Sequence, residues 1–250
     1  MQLIPILRLN NLLVGTMVNP IKIGGVETFS TVDFPDKIAA VVFMQGCPWR
    51  CPFCHNAILQ DTSAPDAFIW EKFVEFLAGR KKVLDGVVFS GGEPLVQDGL
   101  EKAILEVKTM GFLIGLHTGG YRPKHLEKVL PLVDWVGFDI KAPLEEERYK
   151  EAVGVNVKLD DVKESLNMLL NSDKDFECRT TCDPRILSVD DVAQIGRELS
   201  AMGVKKYFLQ KYRPIESDKT TTDADCEQFF LDKDLLDRLK KEFSVFDIRK

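Results

Sequence analysis

Short apolar segments alternate with segments of helical periodicity along almost the whole chain. The apolar segments are near-continuous runs, which is typical of strands buried on both faces of a parallel sheet. The sequence predicts strands at residues 37–43, 86–90, 112–116, 135–140, 176–181 and 206–210. It predicts helices at residues 68–77, 100–110, 126–130, 162–170, 189–202 and 227–243. Six strand–helix units in series predict an α/β fold with helices outside a parallel sheet, which is either a barrel or a doubly wound sheet.

The composition predicts one domain and narrows the class of partner. The chain has 250 residues, of which 45% are hydrophobic, and this is enough for a single large core. Its 33 basic and 39 acidic residues give a net charge of −6, whereas nucleic-acid-binding proteins are more often basic, so we expect no nucleic acid partner. No apolar run has the length of a membrane span and no segment has the pattern of a signal peptide. We therefore expect a cytoplasmic protein with no membrane partner.

The N-terminal residues form a separate unit in the sequence. Residues 1–16 are apolar but are interrupted by Arg8, Asn10 and Asn11. We expect residues 17–250 to form one domain. Residues 1–16 are then an extension, which is either a mis-assigned start before Met17 or a short helix or strand that covers one end of the fold.

Three cysteines, Cys47, Cys51 and Cys54, lie in one short loop after the first predicted strand, with the spacing C-x3-C-x2-C. Three thiolates on one loop can hold three irons of a four-iron cluster and leave the fourth iron without a protein ligand. An open iron can bind a substrate, whereas a fully ligated cluster usually only carries electrons. The spacing therefore predicts chemistry at an iron–sulfur cluster.

A zinc ion bound by the three cysteines and His55 is the alternative. Adjacent Cys54 and His55 would be strained in reaching one tetrahedral ion, and structural zinc sites usually take ligands from two separated segments. Disulfides are not expected because nothing indicates an oxidising compartment. We expect the other cysteines, Cys178, Cys182 and Cys226, to be buried free thiols.

The cluster loop and its flanks, MQGCPWRCPFCHN at residues 44–56, resemble those of the radical S-adenosylmethionine (radical SAM) superfamily. Within it they are most similar to glycyl-radical-enzyme activases, and above all to activating proteins of anaerobic ribonucleoside-triphosphate reductase. The resemblance implies a partial (β/α)6 barrel of the TIM type. It also implies a [4Fe-4S] cluster held by Cys47, Cys51 and Cys54, with S-adenosyl-L-methionine chelated at the open iron. One electron from the reduced cluster then cleaves the sulfonium and releases a 5′-deoxyadenosyl radical.

A glycine pair and a carboxylate follow the second predicted strand, in the segment SGGEP at residues 90–94. Glycines permit close approach of the backbone to a ligand and positive φ, and a carboxylate accepts hydrogen bonds from an ammonium group. The segment resembles the family's GGEP motif, which implies that Gly91, Gly92 and Glu93 hold the methionine amino group. The resemblance also implies a cofactor contact from Phe53 in the cluster loop.

Three further strand ends carry candidate ligand contacts. His117 stands where related activases often have Asp, and Gly119 where they have Asn; we expect His117 to contact S-adenosylmethionine. Asp139 and Lys141 resemble the Asp-x-Lys of the activases and point to one side of their strand. We expect Lys141 to pair with the methionine carboxylate, and Arg179 on the fifth strand to reach a carboxylate.

Two other segments bear comparison with the family. Residues 210–214, QKYRP, end the sixth strand and are similar to the reductase activases, so we expect them to contact the adenosine or a partner peptide. Asp36 stands where many relatives have Gly, which we expect to alter a turn and not the chemistry.

The resemblance implies an oxidoreductase that installs a glycyl radical on a partner enzyme, with a flavodoxin- or ferredoxin-type electron donor. Anaerobic ribonucleoside-triphosphate reductase is the expected partner, and an enzyme of the pyruvate formate-lyase type is the alternative. A radical SAM enzyme acting on a small molecule, such as a 7-deazaguanine-forming synthase, and a zinc-binding interaction module are the other hypotheses.

Overall fold

The computed structural model describes residues 21–250, so the predicted extension at residues 1–16 lies outside the described residues. One sheet of eight strands forms the centre of the molecule. The strands are β1 (Ile23–Ser30), β2 (Ala39–Met44), β3 (Gly86–Gly91), β4 (Leu113–Thr118), β5 (Trp135–Asp139), β6 (Asp175–Cys182), β7 (Lys206–Lys211) and β8 (Val245–Arg249). β1 is antiparallel to β2, and the strands from β2 to β8 are parallel to one another.

Helices connect the parallel strands. The α-helices are α1 (Trp70–Ala78), α2 (Leu100–Thr109), α3 (Pro123–Val129), α4 (Glu146–Val153), α5 (Leu159–Leu170), α6 (Val189–Met202), α7 (Asp223–Leu231) and α8 (Lys233–Glu242). Short 3₁₀ helices lie at Ala57–Gln60, Pro94–Val96 and Leu130–Leu132. Among the helices of residues 21–250, none has both the length and the apolar character needed to span a bilayer.

The order of the strands distinguishes the two arrangements that the sequence leaves open. A doubly wound sheet reverses its strand order at a switch point. Here the order in the sheet is the order in the chain, from β1 to β8, without reversal. The sheet therefore winds in one direction as a partial barrel, with β1 and β8 at its two edges, and the predicted α/β barrel is confirmed.

The sheet has two differently packed faces because successive side chains of a strand alternate. Val42 and Phe89 on the outer face belong to the large apolar core that includes buried residues of the helices. Val41 and Val88 on the inner face belong to a smaller cluster with Trp135. Burial on both faces explains why these strands are apolar along their whole length.

The segment between β1 and β2 fills the amino-terminal end of the barrel interior. The Phe34 ring stacks on Trp135, with ring centroids 5.6 Å apart. The carbonyl oxygen of Asp33 lies 2.9 Å from Nε2 of His117. Asp36 has a φ of 59°, in the left-handed region that favours glycine, so it lies at a turn of restricted conformation.

The predicted elements differ from the structure mainly at the edges of the sheet. β1 and β8 are partly exposed edge strands without a continuous apolar run. The helix predicted at residues 227–243 is wrong as one element, because the chain breaks between α7 and α8. Asp232 ends α7 and caps α8, where its side chain accepts a hydrogen bond of 2.9 Å from the Leu235 N–H.

Candidate active site at the carboxyl ends of the strands

The cluster loop leaves the carboxyl end of β2 at a glycine. Gly46 has a φ of 101°, and its N–H donates to the carbonyl of Leu59 over 2.7 Å. The neighbouring side chain of Gln45 is buried and its amide donates to the carbonyls of Ile58 and Asp61 over 3.2 and 2.8 Å. These bonds tie both ends of the loop together, so the loop has a fixed base.

A helix that the sequence analysis missed supports the other side of the loop. The Arg50 N–H donates to the carbonyl of Val153, the last residue of α4, over 2.7 Å. The Arg50 guanidinium donates to the carbonyls of Cys47 and Trp49 over 2.7 and 2.8 Å. Gly154 ends α4 with a φ of 71°, and a Cβ there would lie 2.5 Å from the Arg50 carbonyl oxygen. The loop therefore rests directly on the end of α4.

The three predicted cluster ligands are free, partly buried thiols. Burial raises the pKa of Cys47 to about 12, and nearby Glu93 adds to this effect. Burial raises the pKa of Cys51 to about 11, although the Lys141 ammonium opposes the shift. Only a thiolate ligates a metal, so binding of a cluster would release the protons of these thiols and offset the cost of burying the charge. The donor set of Cys47, Cys51 and Cys54 therefore fits an iron–sulfur cluster.

The described residues give no support to the alternative zinc site. In residues 21–250, no group of three or more His, Cys, Asp or Glu side chains converges as the ligand set of one metal ion. The ligands of a four-iron cluster need no such convergence, because each thiolate binds a different iron. The His55 ring lies instead beside Tyr212, with ring centroids 6.0 Å apart.

The glycine pair after β3 packs against the base of the cluster loop. Gly91 has a φ of 108°, and a Cβ on it would lie 2.2 Å from the Met44 nitrogen. A Cβ on Gly92 would lie 2.2 Å from the Gly46 carbonyl oxygen, which also accepts a hydrogen bond of 2.9 Å from the Glu93 N–H. Both glycines are therefore required by contact with the protein's own backbone, a constraint that the sequence analysis did not identify.

The Glu93 carboxylate is only 2% exposed and accepts three hydrogen bonds. The donors are the Leu95 N–H at 3.1 Å, the Thr118 hydroxyl at 2.6 Å and the Gly119 N–H at 2.8 Å. Burial raises the pKa of Glu93, although these donors favour the charged form. Glu93 therefore joins the ends of β3 and β4, and Oε2, with one of these bonds, keeps a lone pair for a further donor.

Lys141 places one ammonium group beside the cluster loop. Its Nζ lies 5.5 Å from the centroid of the Trp49 ring and 5.8 Å from that of Phe53. It also pairs with Asp139 at 3.4 Å. Burial opposes the charge, but the carboxylate of Asp139 holds the pKa of Lys141 above its usual value. The predicted residues Phe53, Asp139 and Lys141 are thus brought together.

Arg179 pairs with the carboxylate of Asp139, and the contact with the cofactor that the sequence predicts for it stays a prediction. Its Nε and Nη2 lie 2.9 and 2.8 Å from the Asp139 Oδ1. Burial alone would raise the pKa of Asp139, but the charges of Arg179 and Lys141 lower it to about 2. Asp139 therefore remains an anion between two cations on the inner face of the barrel.

His117 also lies on the inner face, with both ring nitrogens engaged by the protein. Nε2 contacts the Asp33 carbonyl at 2.9 Å and Nδ1 contacts the Ser90 hydroxyl at 3.2 Å. A carbonyl only accepts, so Nε2 carries the proton and Nδ1 accepts. Burial, with the charge of Arg179, lowers the pKa of His117 from 6.5 to about 3. His117 is therefore a neutral residue that joins β3 and β4 to the segment before β2.

A buried ionic group beyond the cluster loop was not predicted. Arg185 lies 2.6 Å from Asp183 and 3.0 Å from Asp218, and it donates to the Tyr212 hydroxyl over 2.8 Å and to the Pro52 carbonyl over 3.3 Å. Tyr212, in the segment at residues 210–214, is thus buried with its hydroxyl engaged. No local pattern indicates this group, because its members come from separate connections.

Comparison with known proteins gives the family. The family model described as the Radical SAM superfamily matches residues 41–182, which is more than half of the chain. A Methanocaldococcus jannaschii protein, provisionally named a glycyl-radical enzyme activating enzyme, is 29% identical over 204 residues, covering 77% of this chain and 80% of that protein. The pyruvate formate-lyase-activating enzyme of Clostridium pasteurianum is 34% identical over 138 residues, covering 53% of this chain and 57% of that enzyme.

A solved structure supports the fold. Streptococcus suis SuiB bound to S-adenosylmethionine superposes with a TM-score of 0.63 at 13% identity, covering 82% of this chain and 48% of SuiB. At this identity the likeness concerns the fold alone. With the family model, it extends the match from the cluster loop to most of the barrel. The chain belongs to the radical SAM superfamily, whose members use a [4Fe-4S] cluster and S-adenosylmethionine.

Proposed function

We propose that the protein is a glycyl-radical-enzyme activase, an oxidoreductase that cleaves S-adenosylmethionine at a [4Fe-4S] cluster and installs a glycyl radical on a partner enzyme. The observation that carries the proposal is the convergence of Glu93 and Lys141 on the cluster loop at the rim formed by the carboxyl ends of the strands. The residues with candidate chemistry follow β2, β3, β4 and β5, and in residues 21–250 only helices and connections accompany the one sheet. We propose that a loop of the large partner protein enters at this rim.

The similarity to activating enzymes supports this reaction. The likeness to the Methanocaldococcus jannaschii protein extends over 77% of this chain, which is more than the cluster loop and its flanks. The likeness to the Clostridium pasteurianum enzyme has higher identity over a shorter region. Both proteins are named as activating enzymes, so the proposal extends their named activity to this chain.

In this proposal Cys47, Cys51 and Cys54 hold the cluster through three irons. The cluster, when bound, supplies one electron that cleaves the sulfonium bond of S-adenosylmethionine. Lys141 lies beside the thiols and offers its ammonium group to the methionine carboxylate. Glu93 offers the remaining lone pair of Oε2 to the methionine ammonium.

The inner face of the barrel contributes charge and shape. Asp139, held as an anion by Arg179, keeps Lys141 protonated and oriented toward the cluster loop. The Phe53 ring limits the space around the same ammonium group. His117 is neutral and fully hydrogen-bonded, so we propose that it shapes the cavity and contacts S-adenosylmethionine through its ring surface.

Anaerobic ribonucleoside-triphosphate reductase is the partner that we propose first, and an enzyme of the pyruvate formate-lyase type is the alternative. The flanks of the cluster loop favour the former, and the Clostridium pasteurianum relative favours the latter. We place the reaction in the cytoplasm, with a flavodoxin- or ferredoxin-type protein as electron donor.

The test is anaerobic incubation of the protein with S-adenosylmethionine, a reductant and each candidate partner, followed by electron paramagnetic resonance. We expect a glycyl radical signal with the reductase, and no signal when Cys51→Ala replaces the native protein. A signal with the formate-lyase-type enzyme alone would reassign the partner. Cleavage of S-adenosylmethionine without a glycyl radical on either partner would contradict the activase proposal.

A further inference from the structure

Trp49 presents a buried hydrogen-bond donor that has no acceptor among the described residues, 21–250. Its side chain is 2% exposed, and its indole Nε1 has no hydrogen-bond partner in that part of the chain. An unsatisfied buried donor costs desolvation free energy, which a bound acceptor would recover. Trp49 lies in the cluster loop, two residues from each of Cys47 and Cys51. The missing acceptor is therefore sought beside the cysteines.

The contacts of the indole ring show which of its edges packs against the rest of the protein. A Cβ built on Gly119 would lie 2.1 Å from Cζ3 and 2.4 Å from Cη2 of Trp49, so the benzo edge packs against Gly119. The Tyr121 ring meets Trp49 edge-on at 6.2 Å, and Lys141 Nζ lies 5.5 Å from the ring centroid. The pyrrole ring, which carries Nε1, is the part of the indole that is joined to the Cβ of Trp49, so it lies closer to the loop backbone than the benzo edge does.

We infer that Trp49 Nε1–H donates a hydrogen bond to a sulfur of the bound cluster, either a sulfide or a cysteine thiolate. The inference rests on the cluster site of the proposed function and not on the identity of the partner. Sulfur atoms of a cluster carry negative charge, which increases when the cluster takes up an electron. A donor at this position stabilises the reduced form more than the oxidised form, so it raises the reduction potential.

The inference gives Trp49 a role distinct from that of Lys141. Lys141 is a candidate for binding the methionine carboxylate, whereas Trp49 would act on the cluster before S-adenosylmethionine is present. The first measurement is therefore the reduction potential of the reconstituted protein without S-adenosylmethionine. We expect Trp49→Phe to retain its iron and to shift the potential to a more negative value.

A second measurement detects the hydrogen bond directly. With ¹⁵N-labelled indole, pulsed electron paramagnetic resonance of the reduced cluster should show hyperfine coupling to one indole nitrogen. We expect this coupling to disappear in Trp49→Phe. Trp70→Phe is the matched control, because Trp70 is equally buried on α1 and its Nε1 donates to Glu106 over 2.8 Å. The control should keep both the coupling and the potential of the native protein.

The outcomes are distinguishable from failure of the proposed function. An unchanged potential and an absent coupling in a protein with full iron content would overturn the inference, even if the protein activates its partner. A weaker affinity of Trp49→Phe for S-adenosylmethionine with an unchanged potential would also overturn it, because the N–H would then contact that ligand. If Trp49→Phe loses iron, the ¹⁵N coupling is measured in the native protein alone: its presence supports the hydrogen bond and its absence overturns the inference.

Discussion

Single side chains at the rim combine binding with support of the fold. Glu93 accepts three hydrogen bonds from the ends of β3 and β4, and it is also the proposed ligand of the methionine ammonium. Lys141 pairs with Asp139 and is also the proposed ligand of the methionine carboxylate. Experiments on these residues therefore need a measurement of stability beside each measurement of function.

The cysteines of the cluster loop should differ sharply from the buried thiols of the barrel. We expect Cys47→Ala, Cys51→Ala or Cys54→Ala to abolish the reconstituted cluster and cleavage of S-adenosylmethionine. Cys178→Ala is the control, because Cys178 is fully buried on β6. Iron and sulfide analysis after anaerobic reconstitution provides the measurement. A full cluster in Cys51→Ala, or loss of about half the iron in Cys178→Ala, would contradict the assignment.

Removal of either charge at the proposed methionine site should weaken ligand binding while the cluster remains. A charge-assisted hydrogen bond contributes roughly 1.5–3 kcal/mol, so Glu93→Gln and Lys141→Ala should each weaken affinity about ten- to a hundredfold. Titration of the reconstituted protein with S-adenosylmethionine gives the affinity, and visible absorption gives the cluster content. Lys108→Ala is a control, since Lys108 pairs with Asp134 on the helix side of the barrel. Native affinity in both rim variants would place the ligand elsewhere.

His117 should make the metal-free protein less stable in acid. Its pKa falls from 6.5 to about 3 on folding, so below pH 6.5 the unfolded chain binds a proton that the folded chain does not. Stability is then lost as the pH falls from about 6.5 toward 3, by up to about 1.4 kcal/mol per pH unit for this one group. Chemical unfolding between pH 5 and 8 provides the measurement. In His117→Gln, the slope of the unfolding free energy against pH should correspond to about one proton fewer taken up on unfolding. An identical slope in both proteins would show that His117 is protonated in the folded state.

At the scale of elements, the sequence predicts the strands whose residues are buried on both faces. It does not predict features that depend on contacts between residues distant in the chain. All six predicted parallel strands exist, because burial on both faces requires continuous apolar runs. The edge strands β1 and β8 were missed since they are partly exposed. The order of the cluster loop and the glycine pair along the chain was sufficient to predict one rim. The hydrogen bond from the Thr118 hydroxyl to the Glu93 carboxylate could not be predicted, because it depends on how β3 and β4 pair.

The junction between α4 and the cluster loop offers a matched pair of glycines. Gly154 and Gly203 both end helices with positive φ, of 71° and 93°, but only a Cβ on Gly154 would meet the loop, at the carbonyl of Arg50. Alanine costs roughly 1–2 kcal/mol at such a left-handed position. We therefore expect Gly203→Ala to lose about that much stability and to keep its cluster.

Gly154→Ala should be less stable than Gly203→Ala and should also bind less iron after reconstitution, because the loop must move away from α4. Thermal unfolding of the metal-free proteins and iron analysis of the reconstituted proteins give the two quantities. Equal iron content in the two variants would show that α4 does not position the cysteines.

At the scale of the whole molecule, the barrel extends from β1 to β8 within residues 21–250. Residues 1–16 contain no candidate catalytic residue type except Arg8. We expect a chain that begins at Met17 to remain soluble and to cleave S-adenosylmethionine at the native rate. Light scattering and product analysis provide the comparison with the full chain. Aggregation of the shortened chain would instead indicate that these residues cover part of the barrel.

The contact of Gly91 and Gly92 with the backbone at Met44 and Gly46 has a consequence for transplantation of this site. The two turns fit together without room for a single methyl group between them. A designer who grafts the cysteine segment onto another barrel must therefore bring the glycine turn with it, at the same register. The cysteine segment and the glycine turn are some forty positions apart in the chain, but they form one structural unit. Neither can be transferred to another protein without the other.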